Sequence, residues 1–185
     1  MTQVVAILTG LSGVGKSWLL KLAQQRERLQ VLSAGELIAE YRSELQVSEV
    51  AYDKLREWDI VENQRALVCA FKARVDPQSR FVILDAHVVV DTPDGLEPIE
   101  SEVFSSIGTS LIFFLEDEPS RIVQNRLQDK SRRRPLRDRC SIKVQQEIAK
   151  KRAQLVATSL GVPLHVLCAG DVDSFLKILF SEDSV

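Results

Sequence analysis

Cysteine and histidine are scarce in this chain, with three of the first and two of the second in 185 residues. Cys69, Cys140 and Cys168 are odd in number and lack metal-ligand spacing, and His87 and His165 lie near no cysteine pair. That excludes a zinc site of ordinary pattern and does not imply a disulfide framework. Long apolar runs are missing too. Nothing approaches the ~20 residues of a membrane span, and glycines and Lys16 break the apolar N-terminus before a signal-peptide core is complete. Neither sign of charge is in large excess: 24 Lys and Arg face 26 Asp and Glu, a net charge of -2 at pH 7. Such a balance argues against general nucleic-acid or membrane binding. No internal repeat, low-complexity tract or linker divides the chain. What remains reads as a reduced, soluble, cytoplasmic protein of one ordinary domain's length, 45% hydrophobic and 27% charged.

Short apolar, β-branched runs recur at 4–8, 29–32, 81–84, 111–115 and 164–167. Most are continuous rather than alternating, as in strands buried on both faces. Helix-like stretches follow them at 16–28, 34–43, about 49–74, 120–127, 142–160 and 171–180. Alternation of this kind predicts an α/β fold, a five-stranded parallel sheet with helices on both faces. Ligands bind such sheets at the carboxyl ends of the strands. The least regular stretch, 91–100, carries Pro93, Gly95 and Pro98 and reads as a loop.

Gly10-Leu-Ser12-Gly13-Val14-Gly15-Lys16-Ser17 fits G-x-x-x-x-G-K-[ST], between an apolar strand and an amphipathic helix. The glycines let successive backbone N–H groups converge on one anion, and the helix N-terminus adds free donors and partial positive charge. Lys16 is expected on the β- and γ-phosphates of ATP and the Ser17 hydroxyl on Mg²⁺. A chance glycine-rich turn is the rival reading, and the strand before and helix after argue against it.

The run 81–84 ends in Asp85, the pattern of a carboxylate that holds Mg²⁺ through waters. Alone, Asp85 would read as the cap of a turn; beside the phosphate loop it reads as a metal ligand. His87, just beyond, is placed for acceptor contact or for a structural hydrogen bond. Positive charge gathers between Arg121 and Arg139, with Arg126, Lys130, Arg132, Arg133, Arg134 and Arg137 opposed only by Asp129 and Asp138. No aromatic residue interleaves the cluster, which weakens a single-strand stacking platform. Pro135 interrupts the helical pattern, so the cluster reads as a loop between helices. Three readings stand: a lid whose arginines close over phosphates, a solvated helix end, and a nucleic-acid contact.

Taken in order along the chain, these motifs resemble the adenylate kinases of the archaeal type, within the P-loop nucleoside monophosphate kinases. Residues 7–17 resemble that family's opening strand and loop. Ser33-Ala-Gly35-Glu36 is similar to its turn facing the acceptor nucleotide, and Asp53-x-x-Arg56 to the motif whose arginine meets the acceptor phosphate. Asp85-Ala-His87 followed by Thr92-Pro93-x-Gly95 resembles the stretch after its third strand. Arg132-x-Arg134 matches its short lid, and Ala169-Gly170-Asp171 its final loop beside the adenine. The resemblance implies one P-loop kinase domain over 1–185, with acceptor-binding helices at about 34–75 and a lid at about 129–139. It implies ATP as donor, Mg²⁺ as cofactor, and a nucleoside monophosphate as acceptor. Two positions depart from the family. Asp91 stands where an acceptor-clamping arginine precedes Thr-Pro, and a carboxylate there repels a phosphate unless it is turned away or paired. Trp18 stands where a small hydroxyl residue touches the α-phosphate.

The expected reaction is in-line transfer of the γ-phosphoryl group. Gly10, Ser12, Gly13, Val14, Gly15, Lys16, Ser17, Trp18 and Gly170 would hold ATP, and Ser17 and Asp85 the metal. Gly35, Arg56 and His87 would hold the acceptor. Lys16, Asp85, Arg132 and Arg134 would act in catalysis. Glu36, Glu62, Arg65 and Arg74 border the same side, though isolated helix arginines are usually solvated or paired with Glu. Two rivals remain: a kinase of an alcohol or nucleic-acid-end acceptor, with Asp85 or Asp91 as base, and a nucleotide-responsive protein with slow hydrolysis.

Overall fold

A computed structural model describes residues 3–44, 60–92, 95–129 and 137–181. Along the chain run β1 (Val4–Thr9), α1 (Lys16–Arg26), β2 (Gln30–Ser33), α2 (Ala34–Glu44), α3 (Ile60–Arg74), β3 (Phe81–Asp85), β4 (Val89–Thr92) and β5 (Gly95–Pro98). They are followed by α4 (Ser101–Ser106), β6 (Leu111–Glu116), α5 (Pro119–Gln128), α6 (Arg139–Leu160), β7 (Leu164–Cys168) and α7 (Val172–Ser181).

Five strands form one parallel sheet in the order β2-β3-β1-β6-β7. β1 is buried from end to end, and β3 and β6 are buried except at their last residues. Alternate residues of a strand point to opposite faces, so continuous burial means that both faces are covered. The helix contacts fall into two sets. α1 packs on α7, while α6 packs on β6 and β7 and joins α4 and α5, and α3 links α4 to α2. The centre of the core is aliphatic and aromatic: Ile7, Leu8, Ile83, Leu84, Ile112 and Phe113 are wholly removed from solvent. Each such side chain contributes roughly 1.5–3 kcal/mol relative to exposure, which fixes the central strands as the rigid base of the loops above them.

The sheet and the helix pattern agree with the sequence. The stretch 91–100 does not form the expected loop. Val89 to Thr92 pair antiparallel with Gly95 to Pro98, and Thr92 Oγ1 donates to the Gly95 carbonyl over 2.9 Å. The result is a hairpin whose first strand opens on the β-branched residues Val89 and Val90. The short helix α4 was also missed. Of the long helix expected over 49–74, α3 is the described part; Arg56 lies outside the described residues, as do Arg132 and Arg134.

Helix α6 starts where its cap dictates. The Asp138 carboxylate accepts from the Ser141 N–H at 2.7 Å, and this bond holds its carboxyl below the ordinary value of 3.8. A carboxyl depressed by folding stabilises the protein above its unfolded pKa, and that stabilisation is lost as pH falls through the folded value. Asp138→Ala should therefore melt below the parent at neutral pH. The gap should close as the pH drops below 3.8; a gap that persists undiminished in acid would show that the carboxylate is not what caps α6.

Candidate functional site

The chain adds β2 and β3 on one side of β1 and β6 and β7 on the other, so the crevice above the carboxyl end of β1 is the switch point of the sheet. The chain leaves β1 there and turns through residues 10–17 into α1. Gly10, Gly13 and Gly15 adopt φ of 144°, 89° and 104°, conformations that turn the loop back on itself. Val14 N–H donates to the Leu11 carbonyl at 3.2 Å, closing the tight turn. The first N–H groups of α1 lack intrahelical partners.

What the loop does with its carbonyls is as telling. Lys16 Nζ donates to Gly10 O at 3.1 Å and lies 3.5 Å from Leu11 O. His87 Nδ1 lies 3.0 Å from the same Gly10 oxygen, which can only accept, so Nδ1 carries the proton. From α5, Arg126 Nε donates to Ser12 O at 2.8 Å and Asn125 Nδ2 to Gly13 O at 2.9 Å. Four successive carbonyls are thus drawn to side chains. With these oxygens engaged, the loop's amides remain as donors, and successive amides of such a loop form the backbone nest that holds an anion.

Lys16 is 7% exposed, and its ammonium stands 3.7 Å from Asp85 Oδ1, itself 21% exposed. The pair sits at the floor of a cleft of about 920 Å³, a volume suited to a small-molecule ligand. The described part of the expected donor site, residues 12–18 with Gly170, lines this cleft, and so do Gly35, Asp85 and His87. Gly10 is set behind the loop and supplies the carbonyl on which Lys16 and His87 converge. His87 therefore has a structural bond as well as a place on the wall.

Asn125 and Asp117 were not singled out from the sequence, and Arg121 and Arg126 were read there only as members of the arginine cluster. Asn125 and Arg126 brace the loop from more than a hundred residues away along the chain. Asp117 and Arg121 pair across 2.9 Å at the start of α5 and also line the cleft. Arg121 and Arg126 stand on α5, within the helix expected over 120–127. Glu62 and Arg74, expected beside the acceptor, instead tie α2 to α3: Glu62 pairs with Arg42 at 3.3 Å, and Arg74 pairs with Glu40 and Glu44 at 3.3 and 2.8 Å. Asp91, where a repulsive charge was expected, is met by Arg137 at 3.0 Å, with 14% of its side chain exposed. The carboxylate is paired, so its charge is compensated before any anion arrives.

A family model described as an AAA domain matches residues 9–143. The adenylate kinase of Pyrococcus horikoshii is 30% identical over 148 residues, 78% of this chain and 75% of that protein. The adenylate kinase of Pyrococcus abyssi is 30% identical over 162 residues, 84% of this chain and 80% of the other. Among solved structures, a shikimate kinase from Bacteroides thetaiotaomicron is similar with a TM-score of 0.60 at 15% identity, covering 100% of both chains. That last likeness bears on the fold alone.

Proposed function

The chain belongs to the adenylate kinase family, and from that premise we propose that it transfers the γ-phosphoryl group of ATP to a nucleoside monophosphate, AMP first among them. The observation that carries the proposal is the Lys16–Asp85 pair beside a phosphate loop whose carbonyls at residues 10–13 are engaged by side chains.

The residues divide the work. The loop amides and Lys16 bind the donor phosphates and offset the charge that spreads over the transferring group. Ser17 and Asp85 offer hydroxyl and carboxylate oxygens, the hard donors that Mg²⁺ takes, and both line the cleft. When bound, the ion supplies charge neutralisation at the phosphates. Gly35 and His87 also line the cleft, and we assign them, with Arg56, to the acceptor, a nucleoside monophosphate. Its phosphate oxygen attacks Pγ, the bond to the bridging oxygen breaks, and ADP leaves. A phosphate nucleophile is already ionised at neutral pH, so no general base is required. Arg132 and Arg134 are assigned to a lid at about 129–139 that excludes water, which would otherwise compete as acceptor. The Arg137–Asp91 pair supports a phosphate acceptor, because it removes the repulsion that would have favoured an uncharged alcohol. We assign the whole of 1–185 to one kinase domain. The three cysteines are free and exposed, which supports a reducing, cytoplasmic setting, and among the described residues no helix is long and apolar enough to cross a membrane.

The test is ADP formation from Mg-ATP with each of the common nucleoside monophosphates in turn. With AMP the rate should rise into the range of about 1–100 per second typical of kinases, far above the rate without acceptor. A rate that no monophosphate changes would overturn the assignment.

A further inference from the structure

Trp18 follows the last residue of the phosphate loop directly, on the first turn of α1, and 58% of it is exposed. Large aromatic side chains tend to find cover, because each can remove 150–250 Å² from water. This one faces the cleft. Its ring lies against the turn after β7. A Cβ built at Gly170 would stand 2.9 Å from Cζ3 of the indole and 3.5 Å from Cη2. Gly170 has φ of 90°, so this position favours glycine twice over, for its backbone and for the ring it must admit. The turn after β7 and the residue after the phosphate loop are thus fitted to each other. Gly170 and Ala169 line the same cleft as Trp18. Together they make an aromatic wall at the end of the phosphate loop where the rest of a nucleotide must leave it.

The wall is notable for what it is made of. Trp18 has one donor, the indole N–H, and Ala169 and Gly170 bring no polar side chain. Stacking on an indole is available to every nucleobase, since each has a π-face, and it does not read the hydrogen-bonding edge. Building on the reading that residues 10–17 take a nucleoside triphosphate, we infer that Trp18, seated on Gly170, is the platform for the donor base and that it selects by stacking. The enzyme then accepts GTP as a donor nearly as well as ATP. Donor binding is divided between a phosphate part, carried by the loop, and a base part, carried by the indole.

That division is testable by binding alone. The other tryptophan, Trp58, is replaced by phenylalanine so that fluorescence reports Trp18. Mg-ATP, Mg-GTP and Mg-tripolyphosphate, which has no base, are titrated in turn. ATP and GTP should quench the emission, and tripolyphosphate should leave it nearly unchanged. By calorimetry, Trp18→Ala should weaken ATP and GTP alike by about 10- to 100-fold, the worth of one base stacked on an aromatic ring, and leave tripolyphosphate affinity unaltered. Trp18→Phe should restore most of the loss. Equal weakening of ATP and tripolyphosphate would make Trp18 a support of the loop and overturn the inference, as would no weakening of either. Loss of ATP binding with GTP spared would overturn the tolerance. Circular dichroism of Trp18→Ala guards against misfolding. No acceptor is present in these titrations, so their failure leaves the transfer reaction to be judged by its own assay.

Discussion

Lys16→Ala should lower kcat/KM for ATP by about a thousandfold, a loss of about 4 kcal/mol of transition-state stabilisation. The size follows from where the ammonium is. It is 7% exposed and hydrogen-bonded to Gly10 O, so it is held at the loop rather than free in solvent. A fixed charge in a poorly solvated cleft is worth more than a mobile one in water. Its removal acts twice. The transferring group loses a cation, and Asp85, with its Oδ1 3.7 Å from Nζ, loses the charge that offsets its own. An unbalanced carboxylate then faces the anionic ligand. Lys16→Arg should not rescue the variant, since the planar guanidinium cannot occupy the narrow space between the Gly10 and Leu11 carbonyls that the ammonium fills. Initial rates with varied ATP separate the effects: kcat should fall more than KM rises, because the charge at the γ-phosphate matters most as it transfers. Turnover within about tenfold of the parent would refute the placement of the donor phosphates at Lys16.

The phosphate loop was legible in the sequence because its physics is local. A strand, a set of glycines, a lysine and a helix start occupy adjacent residues, and each constrains the next. The sheet was legible for a similar reason, since strands such as β1 and β6 are buried on both faces and announce themselves as unbroken apolar runs. The bracing of the loop was not. Asn125 and Arg126 reach Gly13 and Ser12 only after the chain has passed through β3 and β6, and a lone asparagine on a helix carries no mark of its partner. The same holds for Asp91, whose identity was read correctly and whose charge could not be judged without Arg137, 46 residues on. The hairpin was misread for a different reason. The turn residues of this stretch were read as marking a loop throughout, and the error lay in extending that reading over the paired residues Asp91, Thr92 and Gly95 to Pro98. Arg121 and Arg126 show the limit of reading by composition. They belong to the arginine-rich segment by sequence, but on α5 one pairs with Asp117 and the other holds the loop.

Gly10→Ala is expected to be the most damaging single-methyl change in the protein, and it strikes fold and site together. With φ at 144°, the position lies in backbone territory that side chains rarely enter, a strain of roughly 1–3 kcal/mol. The methyl would also stand 2.5 Å from the carbonyl oxygen of Leu115. That oxygen cannot yield easily. Leu115 is wholly buried, and β6 is held between β1 and β7, with Leu115 in register with Leu167. Relief must come from the loop, which moves the Gly10 carbonyl on which Lys16 and His87 converge. A combined cost on the order of 3–5 kcal/mol lowers the melting temperature of a domain this size by about 10–15 °C. Gly108→Ala is the matched control. It also has positive φ, at 72°, but nothing lies within 4 Å of the added methyl, so its cost is limited to the backbone term of about 1 kcal/mol. The two variants should separate on a second axis as well. Added Mg-ATP should raise the melting temperature of Gly108→Ala as it does the parent's, and should do little for Gly10→Ala, since ligand stabilisation depends on affinity for the folded state. If both melt together and both respond to ATP, then the approach of Leu115 to Gly10 does not set the shape of the phosphate loop, and the loop's geometry must come from the side chains that hold its carbonyls.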